Sequence, residues 1–434
     1  MNDNLKIKLN KKTAIIGIIG LGYVGLPLLI RYSEEGYKVI GFDIDKGKVD
    51  SLNNSKSYIK HIDELQISLA IDCGFEATND FSRINEVDAI ILCLPTPLKE
   101  NRSPDLSYVL DSFEQFKIYL KDDQVISLES TTYPGTTEEE LLPRINSLGF
   151  EIGRNFFLVY SPEREDPSNE DFNTKNIPKI VSGITDSCLE VGLSLYTSII
   201  DQVIPVSSVK VAEMAKLLEN IYRAVNIGMI NEMKIVADVM NIDIFEVIEA
   251  ASTKPFGFKA FYPGPGLGGH CIPIDPFYLT WKAKEYGIDS RFIELSGEVN
   301  RYMPKWVIEK VKKSLEQVNK RISDSKILVL GLAYKKNLDD VRESPSIEIL
   351  SLLKDQGALV DYSDPYIPEF PKMRKYDFNL SSVDLSESNI GNYDLVLLAT
   401  DHDNFDYGLI LRNSKILIDT RGVYREESSN LVKA

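Results

Sequence analysis

The sequence predicts an α/β protein in which two doubly wound parallel-sheet domains are joined by a long central helix and a helical middle domain. At both ends of the chain, short apolar runs alternate with amphipathic stretches, and this alternation is typical of βαβ units on a parallel sheet. Between the two ends, apolar residues recur every three or four positions, which is the period of a helix. We therefore expect three domains, with boundaries at residues 1–208, 209–320 and 321–434.

The first domain is expected to begin after a short polar extension, residues 1–12. Its apolar runs are short, and a helical stretch that starts near Pro27 separates the first two of them. Short apolar runs bounded by turn residues are typical of buried strands. We predict strands at residues 13–19, 38–42, 89–94 and 124–128.

The middle of the chain changes to a long helical period from about Val209. The apolar positions share one face of the predicted helix, and we expect them to form one continuous buried stripe. Two explanations for this stripe stay open, a dimer interface and core packing within one subunit. The stripe consists of Val211, Met214, Leu218, Ile221, Val225, Met229, Met233 and Val236.

The last domain returns to the alternating pattern after Lys326. Ser344 followed by Pro345 is a favourable helix start, because serine caps free N–H groups and proline fits the first turn. Residues 366–392 are polar and irregular, so we expect surface loops there with one short helix. The predicted strands are residues 326–332, 358–361, 394–399 and 415–419.

The composition is that of a globular protein, with 43% hydrophobic and 26% charged residues. A net charge of −16 argues against nucleic acid or an anionic membrane as a partner, since phosphate binding needs a basic surface. The apolar run 14–19 is too short for a membrane helix or a signal-peptide core, so we expect a cytoplasmic protein. The cysteines form no CxxC pair and the histidines lack ligand spacing, so we expect neither a disulfide framework nor a metal site.

A glycine motif, GLGYVG at residues 20–25, follows the first predicted strand and precedes the first predicted helix. In this context Gly20 makes a tight turn, Gly22 lets the backbone approach a pyrophosphate, and Gly25 allows close packing of helix and strand. The helix N-terminus then faces the phosphates with its partial positive charge. The motif predicts a Rossmann-like dinucleotide site.

The end of the second predicted strand indicates which dinucleotide is bound. Asp43 stands 18 residues after Gly25, near the position where an acidic residue contacts the ribose hydroxyls. An aspartate there repels a 2′-phosphate, and no arginine follows it, so NAD is favoured over NADP. Lys48 either contacts the adenosine ribose or is solvated.

A loop rich in glycine and proline, residues 263–276, contains Cys271. Glycines clear side chains from around a point, prolines stiffen the loop, and Asp275 adds a carboxylate, which is how a reactive thiol can be presented. The alternative is a small buried cysteine, which is the commonest fate of a free cysteine.

On the central helix, Lys216 and Asn220 are four residues apart and share one facet, with Glu213 beside them. They are either a pair that binds an oxyanion or part of a solvated polar stripe.

Further motifs occur together with these in one order along the chain. Over nearly its whole length the sequence resembles the nucleotide-sugar 6-dehydrogenases of the UDP-glucose/GDP-mannose dehydrogenase family. Within that family, TKPFGF at 253–258 and the cysteine loop most resemble the branch that oxidises UDP-N-acetylglucosamine or its galactosamine epimer. The motifs are GLGYVGLP at 20–27, LPTP at 94–97, ESTTYPGTT at 129–137, YSPE at 160–163, AKLLEN at 215–220, GPGLGGHCIPIDP at 264–276 and GLAYKKNLDDVRESPS at 331–346.

The resemblance implies that Cys271 is the nucleophile in a four-electron oxidation of the sugar C6 alcohol to a carboxylate. A water held by Thr131 and Asp275 would help to remove the hydroxyl proton while NAD takes a first hydride. Cys271 would then trap the aldehyde as a thiohemiacetal, a second NAD would take a second hydride, and the thioester would be hydrolysed. The uronate product would serve a surface polysaccharide such as capsule or lipopolysaccharide O-antigen.

The resemblance also implies how the substrate and cofactor are held. Lys216 and Asn220 would contact the sugar and stabilise the oxyanions, and Glu163 would support the hydrolytic water. Lys335 and Arg421 of the last domain would bind the UDP-sugar, whose charge needs local basic residues in an acidic protein. Gly268 and Lys259 would add substrate contacts, the latter in place of an arginine that relatives use from a neighbouring subunit. The cofactor contacts that it adds are Tyr23, Val24, Thr96, Thr131 and Arg342.

Two departures from UDP-glucose enzymes favour the N-acetylhexosamine branch. Those enzymes carry a second glutamate shortly after the SPE motif, whereas here the segment 163–167 reads EREDP and that role is unassigned. They also carry a lysine where this chain has Ile274. UDP-N-acetylmannosamine and UDP-glucose stay as alternative substrates, and a two-electron hydroxyacid-type dehydrogenase and a silent NAD-binding regulator stay as alternative functions. The expected assembly is a homodimer or a higher homo-oligomer.

Overall fold

The computed structural model describes residues 4–60, 62–165, 171–269, 272–373 and 375–434. The chain forms two compact units. Unit 1 comprises Met1–Glu219 with Phe277–Ile288, and unit 2 comprises Asn220–Pro276 with Asp289–Ala434. Two helices, Val209–Val239 and Asp275–Glu285, contribute residues to both units.

Unit 1 is built on one eight-stranded sheet that has a separate apolar core on each face. The strands are β1 Ile15–Ile19, β2 Lys38–Phe42, β3 Glu76–Thr78, β4 Ala89–Leu92, β5 Gln124–Leu128, β6 Phe156–Tyr160, β7 Lys179–Gly183 and β8 Val203–Pro205. Their order is β3-β2-β1-β4-β5-β6-β7-β8, and β6–β7 is the antiparallel pair. The helices are α1 Asn4–Asn10, α2 Gly25–Glu34, α3 Lys46–Asn53, α4 Glu64–Asp72, α5 Ser107–Phe116, α6 Leu142–Asn146 and α7 Asp186–Thr197.

The strand register of unit 1 brings the carboxyl ends of its central strands to one edge of the sheet. Ile19 pairs with Phe42 and with Leu92, and Leu92 pairs with Leu128. The residues that come directly after these strands therefore meet at this edge, where ligands of doubly wound sheets bind. The four strands predicted for the first domain are confirmed, because each is a largely apolar run that the two faces of the sheet bury.

The N-terminal segment differs from the prediction of a polar extension. Residues 4–10 form the helix α1, in which Leu5 and Leu9 are completely buried. The two leucines are four positions apart and so lie on one face of the helix, which packs on α7. Burial of these two side chains outweighs the polar character of the remaining residues, and the prediction of an extension was wrong.

Unit 2 is built on one five-stranded, wholly parallel sheet with the order β10-β9-β11-β12-β13. The predicted strands, the short helix within 366–392 and the helix start at Ser344 are confirmed, the last because the Ser344 side chain accepts the N–H of Ser346. The strands are β9 Lys326–Leu330, β10 Leu359–Ser363, β11 Leu395–Leu398, β12 Leu417–Asp419 and β13 Leu431–Lys433. The other helices of the chain are α8 Val209–Val239, α9 Ile244–Ser252, α10 Asp275–Glu285, α11 Arg291–Gln317, α12 Pro345–Asp355, α13 Glu387–Gly391 and α14 Tyr407–Asn413.

The long central helix is confirmed as α8, but the burial expected of its apolar stripe is not. Leu218 is 62% exposed, Met229 50% and Met233 45%. Val211, Met214 and Val236 are exposed as well. Apolar periodicity shows that a helix has an apolar face and does not show what covers it. Core packing within each unit therefore does not cover these six residues of the stripe.

None of the helices in the described part of the chain combines the length and the apolar character that a membrane crossing requires. Among the same residues, no group of three or more histidine, cysteine, aspartate or glutamate side chains is arranged to hold a metal ion.

Candidate active site

The turn after β1 in unit 1 is shaped by its glycines. Gly20 has a φ of +94°, and a side chain there would come within 2.5 Å of the carbonyl oxygen of Cys93. A Cβ on Gly25 would lie 1.9 Å from the carbonyl oxygen of Gly20. A Cβ on Gly22 would meet no atom within 4 Å. Packing inside the chain therefore requires the first and third glycines, while the second borders open space in which a pyrophosphate fits.

Asp43 closes this turn from the end of β2. Its Oδ2 accepts the N–H of Leu21 at 3.0 Å, and its Oδ1 accepts the N–H of Asp45 at 2.9 Å. The ammonium group of Lys48 lies 3.4 Å from Oδ2. The sequence did not single out Tyr58, whose hydroxyl donates to the carbonyl oxygen of Leu21. A carboxylate held in this way retains acceptor capacity for a ribose hydroxyl, so the residues present fit a dinucleotide.

The loops after β4 and β5 are joined to each other at the same edge. Thr96 donates its hydroxyl to the carbonyl oxygen of Thr131 at 2.7 Å. Ser130 accepts the N–H of Leu94 at 3.1 Å and donates to the carbonyl oxygen of that residue at 2.7 Å. Tyr278 of α10 donates to the carbonyl oxygen of Thr96. Thr96 and Thr131 thus lie together on the loops that follow β4 and β5, and β4 is a neighbour of β1, which leads into the glycine turn with Tyr23 and Val24.

Glu163 and Lys216 come together in unit 1. The Lys216 ammonium lies 3.9 Å from Oε2 of Glu163, and the two side chains are 6% and 17% exposed. The main-chain N–H of Glu165 donates to Oε1 of Glu163. A cation and a carboxylate that are largely shielded from water keep more of their mutual attraction than a surface pair does.

A buried ion pair lies behind this site. Glu129, which follows β5, accepts from the Lys179 ammonium at 2.6 Å and from the Tyr196 hydroxyl at 2.6 Å. Burial raises the pKa of the Glu129 carboxyl, and Lys179 opposes the shift. Glu129 is the first residue of the motif ESTTYPGTT at 129–137, but Lys179 and Tyr196 lie 50 and 67 residues away from it along the chain, and no local pattern pointed to them.

Glu213 does not join Lys216 and Asn220 but faces a loop of unit 1. Its carboxylate accepts the N–H of Gly135 at 2.6 Å and both the N–H and the hydroxyl of Thr137, at 3.0 and 2.7 Å. Burial raises the pKa of this carboxyl to about 7, against the three hydrogen bonds. Glu213 therefore fastens α8 to the segment that comes after Thr131.

Asn220 and Asp275 come together in unit 2. The Asn220 amide donates to Oδ2 of Asp275 at 2.6 Å, and Asp275, the first residue of α10, is 1% exposed. Cys271 lies outside the described residues, as does His270. The described ends of the cysteine loop are therefore Gly269 on one side and Ile272 on the other.

The cysteine loop packs against the C-terminal segments through its glycines. A Cβ on Gly264 would lie 2.8 Å from a guanidinium nitrogen of Arg421, and one on Gly268 would lie 2.4 Å from the Cβ of Tyr334. Gly269, with a φ of +87°, donates its N–H to the carbonyl oxygen of Arg342 at 2.9 Å. The main chain of the loop thus fits where larger residues would not.

The predicted basic ligands of unit 2 differ in their setting. Arg421 donates Nε to the carbonyl oxygen of Ala399 at 2.7 Å, and burial lowers the pKa of its guanidinium. Arg342 is exposed and forms a bidentate pair with Asp340, at 3.0 and 2.7 Å. Lys335 is half-buried and Lys259 is exposed. Arg421 and Arg342 both contact the described part of the cysteine loop, at Gly264 and Gly269.

Sequence models of the UDP-glucose/GDP-mannose dehydrogenase family match the chain in three parts, the NAD binding domain at residues 14–200, the central domain at 210–302 and the UDP binding domain at 328–426. The chain is 33% identical to UDP-N-acetyl-D-glucosamine 6-dehydrogenase of Pseudomonas aeruginosa, over 90% of this chain and 91% of that protein. It is 32% identical to NDP-N-acetyl-D-galactosaminuronic acid dehydrogenase of Ralstonia nicotianae, over 94% and 96%. The solved structure of UDP-D-ManNAc dehydrogenase from Pyrococcus horikoshii superposes with a TM-score of 0.86 at 29% identity, over 96% of this chain and 98% of that one. The chain therefore belongs to the UDP-glucose/GDP-mannose dehydrogenase family.

Proposed function

We propose that this protein oxidises the C6 hydroxymethyl group of UDP-N-acetylglucosamine, or of UDP-N-acetylgalactosamine, to the carboxylate through Cys271. The cofactor is NAD and the last domain is a UDP binding domain, as family membership shows. The observation that carries the proposal is the 2.6 Å hydrogen bond between Asn220 and the buried Asp275. It ties the end of the cysteine loop to α8, the helix that also carries Lys216.

The protein's own part in the proposed reaction is acid–base and covalent chemistry. NAD, held by the residues of the glycine turn, would supply the hydride acceptor for the two oxidations at C6. Thr131 and Asp275 hold a water that takes the proton of the C6 hydroxyl. The Cys271 thiolate adds to the aldehyde carbon, and the second oxidation leaves a thioester on its sulfur. A water positioned by Glu163 then attacks the thioester carbon, and the carbon–sulfur bond breaks to release the acid and the thiolate.

Lys216 and Asn220 support this reaction by placing donors next to the oxyanions that form on the substrate. Lys216 is 5% exposed, and a cationic donor in a dry site stabilises an alkoxide more than the same donor does in water. Asn220 keeps its amide orientation through Asp275. In an active site of this kind, loss of one donor costs about a hundredfold to a thousandfold in kcat.

The UDP-sugar is proposed to bind Lys335 and Arg421, with Gly268 and Lys259 as further contacts and Arg342 reaching the cofactor. Arg421 meets the cysteine loop at Gly264, which places a fixed guanidinium beside the proposed reacting loop. A rigid fork of donors suits a diphosphate. The division at residues 208 and 320 stays part of the proposal, with NAD held by residues 1–208, the cysteine loop in 209–320 and UDP held by 321–434.

The first test is the yield of NADH from a limiting amount of UDP-N-acetylglucosamine with excess NAD, read by absorbance. We expect two NADH per sugar, which a four-electron oxidation requires. One NADH per sugar would contradict the role of Cys271 and favour a two-electron dehydrogenase. No NADH would direct the assay to the galactosamine, mannosamine and glucose nucleotides, and no NADH with any of them would favour a regulator.

A Cys271→Ser variant tests the covalent step. We expect it to abolish full turnover to the acid, because serine cannot form the thioester, while binding of the UDP-sugar stays within about twofold of wild type. Turnover to the acid at an undiminished rate in this variant would contradict the proposal. The relatives carry the names of N-acetylglucosamine, N-acetylgalactosaminuronic acid and N-acetylmannosamine dehydrogenases, so the same assay with each nucleotide sugar decides the epimer.

We further propose that the exposed apolar stripe of α8 is the interface of a homodimer. Its side chains are half exposed or more at Leu218 and Met229, and a long apolar face of this kind is typical of an association surface. The double variant Met229→Glu with Met233→Glu should be a monomer by light scattering. Ile118→Glu, at an isoleucine that is 71% exposed, is the matched control and should behave as wild type.

We also propose that the reaction takes place in the cytoplasm and serves the synthesis of a surface polysaccharide.

A further inference from the structure

The loop that follows β9 in unit 2 carries Lys335, the lysine that the proposed function assigns to the UDP-sugar. It spans residues 331–337 and has the sequence GLAYKKN. Tyr334, next to Lys335, lies against the cysteine loop, since a Cβ on Gly268 would come within 2.4 Å of the Tyr334 Cβ. The path of this loop therefore decides where Lys335 stands relative to the described end of the cysteine loop.

The first half of the loop is held by a carboxylate directly after β10. Oδ2 of Asp364 accepts the N–H of Leu332 at 2.7 Å and that of Ala333 at 3.2 Å. The Thr400 hydroxyl donates to the carbonyl oxygen of Ala333 at 2.5 Å. Two successive residues are thus fixed through their main chain, by a carboxylate that has no exposed area.

The second half of the loop is held by a histidine that is buried after β11. Nδ1 of His402 accepts the N–H of Asn337 at 2.9 Å, and the ring has no exposed area. The Asn337 side-chain amide donates to the Asp403 carboxylate at 2.5 Å and accepts the main-chain N–H of Asp403 at 3.1 Å. Asn337 has a φ of +61°, a conformation that asparagine adopts more readily than most residues. The loop thus ends in a turn that His402 and Asp403 hold.

His402 also connects the two ends of the loop to each other. Its Nε2 lies 3.1 Å from Oδ2 of Asp364, the oxygen that accepts the N–H groups of the first half. Because Nδ1 accepts a hydrogen bond, Nε2 carries the proton and donates it to the carboxylate. The rings of Tyr366 and Phe405 pack on the imidazole, with centroids at 5.1 and 5.5 Å. One imidazole therefore bridges the two ends of the span that contains Lys335.

We propose that His402 is a positioning residue for substrate binding, which holds Lys335 in place for the diphosphate of the UDP-sugar by bridging the two ends of the loop 331–337. The inference rests on the proposed function, because it takes Lys335 as a ligand of the UDP-sugar. A loop that is fixed at both ends has already lost the backbone freedom that would otherwise be lost on binding. The bridge acts through the hydrogen bond to Asn337, since that bond joins the imidazole to the end of the loop nearest to Lys335.

Two substitutions at His402 separate the two halves of the bridge. In His402→Asn the amide oxygen takes the place of Nδ1 and accepts from Asn337, but the donor to Asp364 is lost. In His402→Gln the amide nitrogen takes the place of Nε2 and donates to Asp364, but the acceptor for Asn337 is lost. The affinity for UDP is measured by calorimetric titration of the whole chain. We expect UDP to bind His402→Asn within about twofold of wild type and His402→Gln about fivefold to tenfold more weakly.

A merely structural role of His402 predicts a different result. Both variants remove the ring, so both lower the melting temperature, and a loss of stability would act on UDP affinity in both alike. Equal UDP affinity in the two variants, or a weaker affinity in His402→Asn than in His402→Gln, would overturn the proposal. Ile390→Val, at a buried residue of α13, is the matched control for lost stability and should bind UDP as wild type does.

Hydrogen exchange of the segment 331–337 is a second measurement, which needs no variant. A loop that is held by His402 before the substrate arrives should be protected in the wild-type protein without UDP, and saturating UDP should slow its exchange less than about threefold. Fast exchange without UDP that slows more than about tenfold on binding would mean that UDP itself orders the loop, and it would overturn the proposal.

Lys335→Ala separates this inference from the proposed function. The variant should bind UDP about tenfold more weakly than wild type, because a charged donor to the diphosphate is lost. In this background His402→Gln should have no further effect, since His402 acts through Lys335. A further loss of affinity by the full factor would overturn the inference alone. UDP affinity equal to that of wild type in Lys335→Ala would overturn the role of Lys335 in the proposed function.

Discussion

Units 1 and 2 contain the same backbone turn at the carboxyl end of a central strand, but only one of the two turns is open to a dinucleotide. Gly20 follows β1 with a φ of +94°, and Gly331 follows β9 with a φ of +83°. Each glycine donates its N–H to the end of the neighbouring strand at 2.8 Å, to Phe42 in unit 1 and to Ser363 in unit 2. The turn itself therefore does not decide what is bound.

A carboxylate at the end of the second strand closes each turn. Asp43 accepts the N–H of Leu21 at 3.0 Å, and Asp364 accepts the N–H of Leu332 at 2.7 Å. In unit 1 a side-chain partner of this carboxylate is Lys48, at 3.4 Å, whose side chain is 36% exposed. The carboxylate in unit 1 can therefore exchange a partner for a ribose hydroxyl.

In unit 2 that exchange is blocked by a buried histidine. The imidazole of His402 lies 3.1 Å from Asp364, and neither side chain has any exposed area. Nδ1 of His402 accepts the N–H of Asn337 at 2.9 Å, so Nε2 carries the proton that is donated to Asp364. The ring stands where a ribose hydroxyl would bind in unit 1. Asp364 therefore already has a side-chain partner in a closed site, and its carboxylate has no place left for a ribose hydroxyl.

The two turns also differ in the distance along the chain to the next helix. In unit 1 the helix α2 begins at Gly25, immediately after the turn, so that its N-terminus is available to a pyrophosphate. In unit 2 the helix α12 begins only at Pro345. The intervening loop carries Lys335 and Arg342, whose side chains suit an anion in place of the helix N-terminus.

The largest expected effect is that of Gly25→Ala. The added Cβ would lie 1.9 Å from a main-chain oxygen, so the turn cannot keep its shape and NAD binding should weaken more than about a hundredfold. The measurement is calorimetric titration with NAD. Gly22→Ala is the control for the fold, because its Cβ meets no atom within 4 Å and the melting temperature should stay that of wild type. Equal NAD affinity in wild type and Gly25→Ala would contradict the assignment of the site to unit 1.

Asp364→Asn, at the residue of unit 2 that corresponds to Asp43, should lower the stability of the protein. Both oxygens of Asp364 accept main-chain N–H groups, and an amide would turn a donor against one of them in a closed site. We expect a loss of about 2–3 kcal/mol in the free energy of unfolding, measured by urea denaturation. NAD affinity should be unchanged, and a weakened affinity would mean that unit 2 takes part in cofactor binding.

Asp43→Asn should have the opposite pattern, with a larger effect on NAD affinity than on stability. The substitution removes the charge and one acceptor from the ribose position, so we expect the dissociation constant for NAD to rise about tenfold. The effect on the free energy of unfolding should be smaller than for Asp364→Asn, because the Asp43 side chain is 8% exposed and water can reach it. A variant that binds NAD as wild type does would show that Asp43 only closes the turn.

The strand positions and the glycine turn could be predicted from the sequence because they depend on local patterns. A buried strand is an apolar run, and Ser344 with Pro345 marks a helix start without reference to the rest of the chain. The closed ribose position of unit 2 could not be predicted in this way. Asp364 and His402 are 38 residues apart, and the contact results from the parallel order of β10, β9 and β11.

The same difference between local patterns and long-range contacts explains why the sequence did not predict parts of the candidate site. Lys216 and Asn220 could be singled out because a helix places them on one facet. The partners Lys179 and Tyr196 of Glu129 come from β7 and α7 and carry no motif. The exposure of the α8 stripe could not be predicted from the sequence either. The apolar period identifies an apolar face of the helix, whereas the residues that cover this face depend on the tertiary structure.

The smallest expected effect is a difference in acid sensitivity that separates the two carboxylates. Burial alone would raise the pKa of Asp364, but the hydrogen bond from His402 and those from the main chain outweigh it, and its pKa lies below the ordinary value. A carboxyl with a lowered folded pKa adds stability above its unfolded pKa of about 3.9, and this stability is lost as the pH falls through the folded pKa. The gap in unfolding free energy between wild type and Asp364→Asn should therefore be full at neutral pH and narrow by about 1 kcal/mol as the pH falls below about 4. Urea unfolding at a series of pH values measures this gap, and a gap that stays constant would show that His402 and the main chain do not stabilise the ionised form.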